Sequence, residues 1–482
     1  MFATTKSVTE AAPIGDKPRG LQTLARFQDT DARSGSVGGG GAPLTGASVL
    51  VLRFAGLWSP RGRAGRRLFA LYTALVLACS AAGVGTCALS LRSYWGDAQQ
   101  VSPSLGNAIL LLAGIAKAAV FLSRQREFRR LLRMLEQLVS SQAEFARQMG
   151  EAYERHRRLA PRLTLLLVGY VTTIFFLWAA LPLILRGASA QRLLPFSQIR
   201  GIDAGPLPLY ELAYGVEFAS TFYWIYISVG LDCFFASIMT HVTAQFRLLN
   251  WRLSRLGRDH QSDGRPEITD GPVASCEARQ PQKTAATDRV GYTTLVNCIR
   301  THQQILNFVR HLQEAMSAVV LIQFASSVTV ACMTLCISTF NPDTGSAMKA
   351  AVYLPIPAIQ VYLYCWFAHD IMEQSEAVSL SVYCGGWESA SRRLRGALLL
   401  MMRRAAAPCR LSAAGLCTIS RGTFLSRQVV VFAIFGSLIS DDSSDNSDLC
   451  CLFVVLFFRL LYHLLHFLDN LSSNLSPREA VF

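Results

Sequence analysis

The chain has 482 residues, of which 51% are apolar and only 16% charged, with a formal net charge of +14 and a positive mean hydropathy. A soluble protein of this length would usually divide into two or three domains, whereas this composition points to one all-α polytopic membrane domain. The Arg residues flank apolar runs and form no single stripe with interleaved aromatics, which excludes nucleic acid as the expected partner and favours anionic membrane lipid.

Residues 1–49 are polar and Gly-rich, with Gly38 to Gly41 as a flexible linker, and predict a disordered cytoplasmic N-terminus. They hold no apolar core of the length a cleavable signal peptide needs, so the first span is expected to target the chain. A hydrocarbon core about 30 Å thick takes about 20 helical residues. Apolar runs of that order lie at 68–91, 101–123, 163–185, 209–239, 315–337 and 347–367, within a transmembrane domain spanning 50–426. Gly83 and Gly85 fall inside the first span, where small residues allow close helix packing. Lys117, near the inner end of the second, is expected to snorkel toward the headgroups.

Between the second and third spans, Phe128, Leu131, Leu132, Leu135 and Leu138 recur at helical spacing among Arg residues, predicting amphipathic helices that extend into the cytoplasm. The fourth span carries Glu217 and Asp232. An isolated charge at membrane depth costs at least ~2.5 kcal/mol, so each either bonds helices together or lines a water-filled vestibule. Residues 257–288 are rich in Pro, Gly, Asp and Gln without periodicity and predict a disordered insertion. Helical spacing resumes at Tyr292 and runs through Leu295, Ile299, Ile305, Phe308 and Leu312 into the fifth span.

The cations set the orientation. Lys and Arg number ten before Leu68, ten from Arg124 to Arg162, ten from Arg247 to Arg310 and eight from Arg392 to Arg427. The alternate segments hold only Arg92, three from Arg186 to Arg200, and Lys349. Cytoplasmic loops retain Lys and Arg, so every second loop and the N-terminus are expected inside, inverted relative to rhodopsin-like receptors.

No HExxH, Walker GxxxxGK[ST] or GxSxG motif occurs, the thirteen Cys form no CxxC pair, and His463 with His466 is too small a set for a metal site. No enzyme, cofactor or metal is expected. Aromatics instead cluster in the outer halves of the spans: Phe175 and Trp178 in the third, and Tyr214, Phe218 and Phe222 at four-residue intervals in the fourth. Tyr353 enters the sixth beside Pro355 and Pro357. With Glu217, these residues are candidates to line an apolar pocket for a small volatile molecule; lipid contact or plain packing would produce the same pattern.

Two stretches resemble insect odorant receptors: CIRTHQQILNFVRHLQEAMSAVVLIQFASSVTVACMTL, from Cys298 to Leu335, and YCWFAHDIMEQSEAVSLSVYCGGWES, from Tyr364 to Ser389, in which Trp366, Glu373, Ser375, Tyr383 and Trp387 fall on the family pattern. LRFAGLW at Leu52 to Trp58, LPFSQI near Pro195 and the Gly230–Asp232 neighbourhood add weaker similarity. The resemblance implies about seven transmembrane helices and a tuning subunit that joins an odorant co-receptor in a heterotetramer. It further implies a ligand-gated, non-selective cation channel in the plasma membrane of sensory neurons, opened by a small volatile odorant, with no cofactor. Trp366, Glu373, Ser375, Tyr383 and Trp387 would belong to the subunit anchor.

The sequence departs from that pattern after Ser426. Residues 427–482 replace the expected pore helix with a short apolar run, an acidic stretch from Asp441 to Asp448 and a second apolar run from Leu449 to Leu468, so the chain as written is expected to conduct little. A gustatory-type chemoreceptor channel is a related alternative, although its C-terminal signature differs from Tyr364 to Trp387. A secondary transporter would show repeated halves with matching broken helices, and none is visible. A G-protein-coupled receptor would need the opposite orientation.

Overall fold

The computed structural model of the chain describes residues 45–60, 63–95, 98–186, 194–197, 199, 207–256, 280–340, 355–385, 391–415, 417–424 and 426. Expectations for residues 1–44, 257–279 and 427–482, and for Tyr353 and Trp387, lie outside them.

The described residues are mostly helical. α1 (Gly46–Phe54) ends at Gly56, whose φ of 76° folds the chain back so that Leu57 and Trp58 are buried. α2 (Arg63–Ser93) and α3 (Ala98–Ser123) carry the first two apolar runs. α4 (Gln125–Ser141) then buries Phe128, Leu131, Leu135 and Leu138 along one face and leaves Leu132 half-buried, as the i, i+3, i+4 spacing predicts. Two short helices, α5 (Ala143–Met149) and α6 (Glu151–Arg157), lead into α7 (Leu159–Arg186).

α8 (Leu207–Arg255) is the central helix and packs against α1, α2, α3, α7, α9 (Gln280–Phe340) and α10 (Pro355–Tyr383). Its middle is filled by aromatics. Phe234 lies 5.8 Å from both Phe121 and Trp58, and Phe121 stacks on Phe128 at 4.5 Å. Within a bilayer there is little hydrophobic gain from moving such rings out of lipid, so close packing and polar bonds hold the helices together. After α10 come α11 (Arg392–Ala405), N-capped by the Ser391 hydroxyl, and a two-residue antiparallel pairing of β1 (Ser412–Ala413) with β2 (Cys417–Thr418).

Leu68, Leu71, Leu75 and Leu89 of α2 and Leu165, Leu166, Leu177 and Ile184 of α7 are exposed on the outside. Such apolar rows are costly in water and suit a lipid surround. Five stretches among the described residues are long and apolar enough to cross a membrane: Gly65–Ser93, Ser104–Ser123, Glu151–Ala180, Leu209–Arg255 and Val290–Ala331. α10, which holds part of the sixth expected span, is not among them; residues 347–354 lie outside the described set.

α9 begins at Gln280, ahead of the resumption at Tyr292 that apolar spacing predicts. Residues 280–291 lack an apolar stripe but include Gln, Lys and Ala, good helix formers that extend a helix already nucleated by the buried Leu295 and Cys298. Lys117 also departs from expectation. It does not snorkel: it is 1% exposed and turned into the protein, where its Nζ donates to Ser228 Oγ at 3.0 Å and to Gln323 Oε1. Partners on α8 and α9 satisfy the ammonium better than a long reach to the interface would.

Candidate functional site

A cavity lies among α3, α7, α8, α9 and α10, and about 60 Å³ of it is open to the centre of a water molecule. α7 contributes Val171, Ile174, Phe175 and Trp178. α8 contributes Thr221, Trp224 and Ile225, an i, i+3, i+4 set on one helix face. Asn107 and Leu110 of α3, Val330 of α9, and Pro357 with Gln360 of α10 complete the wall, and Phe196 closes it from the α7–α8 connection. The surface is mostly apolar with a few convergent polar groups, the usual character of a small-molecule site.

Close approach of α8 to α2 and α3 depends on two glycines. A Cβ at Gly114 would overlap the Trp224 indole, and a Cβ at Gly83 would overlap the Ser220 hydroxyl. Gly85 differs: nothing comes within 4 Å of where its Cβ would stand.

The connection over the cavity is tied down at three points. Trp178 Nε1 donates to the Pro195 carbonyl at 3.0 Å, Phe196 stacks on Phe175 with centroids 6.2 Å apart, and the Glu217 carboxylate accepts from Phe196 N at 3.1 Å, from Ser197 N at 3.4 Å and from the Ser197 hydroxyl. Glu217 is thus a buried loop anchor on α8, bonded to the segment that carries LPFS.

The other candidates take separate places. Phe175 and Trp178 line the cavity directly, while Phe218 and Phe222 stack on each other at 6.1 Å and pack behind Phe175 at 5.0 and 5.5 Å. Tyr214 packs with Leu194, Ile199 and Tyr210 and donates its hydroxyl to the Ala179 carbonyl at 2.6 Å. Sequence reasoning did not single out Thr221, Trp224, Gln360 or Asn107. The four-residue rhythm of the Tyr214–Phe222 stripe drew attention to an adjacent α8 face, and a lone Gln or Asn in an apolar run carries no periodic signal.

Below the cavity runs a buried polar network. Gln360 Nε2 donates to Ser228 Oγ at 3.2 Å, and Gln360 Oε1 accepts from Gln323 Nε2 at 2.9 Å. Lys117 joins the same Ser228 and Gln323 and lies 3.6 Å from Asp232, which also accepts from the Tyr364 hydroxyl at 2.9 Å. Helices α3, α8, α9 and α10 therefore share one hydrogen-bonded cluster that begins at the cavity wall.

Farther along α10, Trp366 is covered by the Arg421 guanidinium at 3.7 Å, and Arg421 Nη2 donates to Asp370 at 2.6 Å. Ser375 Oγ accepts from Cys409 N at 3.0 Å, while Glu373 and Tyr383 are exposed.

The family model described as 7tm Odorant receptor matches residues 98–444. The chain belongs to the insect odorant receptor family. Among its relatives in that family, Odorant receptor Or2 of Anopheles gambiae is 23% identical over 323 residues, 66% of this chain and 79% of the relative. Odorant receptor 22c of Drosophila melanogaster is 24% identical over 363 residues, 72% and 85% of the two chains. The fold is that of the olfactory receptor OR5 from Machilis hrabei, with a TM-score of 0.63 at 15% identity over 82% of this chain and 97% of that one. The same receptor in complex with eugenol gives 0.64 at 16% identity over 83% and 98%. The family is one of receptors, and the chain is not an enzyme.

Proposed function

We propose that this odorant receptor family member is a tuning subunit of a heteromeric, ligand-gated, non-selective cation channel in the plasma membrane of sensory neurons. A small volatile molecule occupies the cavity between Phe175, Trp224 and Gln360, and an odorant co-receptor completes the tetramer. The observation that carries this is the cavity itself, a mostly apolar space between helices of a receptor whose neighbour in fold was solved with eugenol. Its link through Gln360 to Lys117 and Asp232 gives a ligand contact with the helix interior. Ligand shifts the channel toward opening to the extent that it binds the open arrangement better.

The candidate pocket residues divide the work: Phe175 and Trp178 touch ligand, Phe218 and Phe222 back the Phe175 ring, and Glu217 and Tyr214 hold the connection and α7 in place. Tyr353 would enter from the sixth span. Trp366, Glu373, Ser375, Tyr383 and Trp387 form the subunit anchor on the cytoplasmic side, with the N-terminus inside and seven helices in all. Residues 427–482 stand where the family's pore helix is expected, so conduction requires the family's usual last helix.

The test is co-expression with an odorant co-receptor and a panel of volatiles. A version carrying the family's ordinary last helix is expected to give odorant-evoked cation current, and the chain as written little or none. No response from the completed version to any volatile, with surface expression confirmed, would refute the channel assignment.

A further inference from the structure

Thr221 is 5% exposed and lines the cavity, and its Oγ1 has no hydrogen-bond partner among the described residues. A helical threonine often returns its hydroxyl to the carbonyl one turn back. Thr164, Thr173, Thr240, Thr243, Thr301 and Thr329 all do so. At Thr221 that carbonyl belongs to Glu217, and the Ser220 hydroxyl takes it at 3.1 Å. Ser220 is seated against Gly83, where no side chain could be accommodated without a shift. The local geometry thus leaves the Thr221 hydroxyl free at the wall of an apolar space.

Three of the other polar side chains of the wall are bonded within the protein. Asn107 Nδ2 donates to Cys87 Sγ at 3.4 Å, Trp178 Nε1 to the Pro195 carbonyl at 3.0 Å, and Gln360 is bonded at both ends of its amide. Among the described residues no ionisable side chain lines the cavity, so a carboxylate or ammonium ligand would be desolvated without a counter-charge from them. The open space holds the bulk of about four to six waters, that of a one-ring or short-chain molecule.

We infer that Thr221 is the specificity-determining anchor of the cavity, and that the ligand class it selects is a small neutral volatile with one hydroxyl or carbonyl oxygen. Hydrocarbons of the same shape are the disfavoured competitors. This rests on the cavity being the odorant site. The Thr221 hydroxyl donates to a carbonyl or alcohol oxygen, or accepts from an alcohol or phenol. An apolar wall alone discriminates weakly between isosteres, whereas a buried hydroxyl left unpaired by the wrong ligand discriminates strongly.

The chain in lipid nanodiscs is titrated with two matched pairs, benzyl alcohol against ethylbenzene and 1-hexanol against heptane, and tryptophan emission is followed. Cavity binding is the part abolished by Ile225→Trp, which fills the space beside Thr221; this separates it from partition into lipid. The oxygenated member of a pair is expected to bind about tenfold or more tightly than its hydrocarbon partner. Thr221→Val, of the same shape, should erase that preference, and Thr221→Ser should retain it. Equal cavity affinities within both pairs, or a preference unchanged in Thr221→Val, would overturn the anchor and leave the cavity standing. Absence of any binding sensitive to Ile225→Trp, for all four compounds, would overturn the cavity assignment and this inference with it.

Discussion

Lys117 and Asp232 stand 3.6 Å apart, Nζ to Oδ1, with side chains 1% and 0% exposed. The pair bridges α3 and α8 and is extended by Tyr364 of α10 and Gln323 of α9. Breaking a buried pair from one side leaves an uncompensated charge, at a cost of about 3–5 kcal/mol. Lys117→Met or Asp232→Leu alone should therefore lower the melting temperature of the detergent-solubilised chain by several degrees. The double variant should recover much of the loss. Additive losses would mean that the two groups do not stabilise each other.

Gly114 and Gly85 make an internal comparison. Gly114→Ala drives a methyl into the Trp224 indole and pushes a wall residue toward the cavity, so odorant affinity should fall at least several-fold while expression is maintained. Gly85→Ala meets open space and should leave affinity unchanged. Equal effects from the two would contradict the packing described at Trp224. Titration of tryptophan emission measures both.

The Glu217 carboxylate holds the connection through Phe196, Ser197 and the Ser197 hydroxyl. Removing it leaves two amides and a hydroxyl to find other partners, each worth about 1–3 kcal/mol when stranded. Glu217→Ala is expected to speed ligand release and to increase protease cleavage between α7 and α8. Unchanged cleavage and release would show that other contacts suffice.

Arg421 covers Trp366 and bonds Asp370, joining the segment after β2 to α10. A lysine lacks the planar fork that does both at once. Arg421→Lys and Arg421→Ala should each reduce co-purification with the co-receptor if this face supports the subunit anchor, with Ala the more severe. Retained co-purification in both variants would place assembly elsewhere.

The amphipathic stretch of α4 and its neighbours tests orientation. A single cysteine introduced at the exposed Arg126, on a background whose native cysteines do not react, should be inaccessible to an impermeant thiol reagent applied to intact cells and reactive after permeabilisation. Labelling from outside would reverse the proposed topology.

Much of this architecture is legible from periodicity. The α4 face of Phe128, Leu131, Leu135 and Leu138 follows directly from spacing, because burial of one stripe is a local property of sequence. The motif residues from Trp366 to Ser375 likewise identify the family before any coordinate is known. Lys117 was not legible: its partners Ser228, Asp232 and Gln323 lie more than a hundred residues away, and only the packing of α3 on α8 and α9 brings them within reach. Thr221 was hidden for a similar reason. Its neighbours in sequence, Phe218 and Phe222, form the louder aromatic stripe, whereas the cavity opens on the face shared with Trp224 and Ile225.

The most direct measurement is a cryo-EM map of the chain with its co-receptor, saturated with an activating volatile. Ligand density is expected between Phe175, Trp224 and Gln360, within hydrogen-bond distance of the Thr221 hydroxyl. An empty cavity with density at another site would contradict the proposed site of odorant binding.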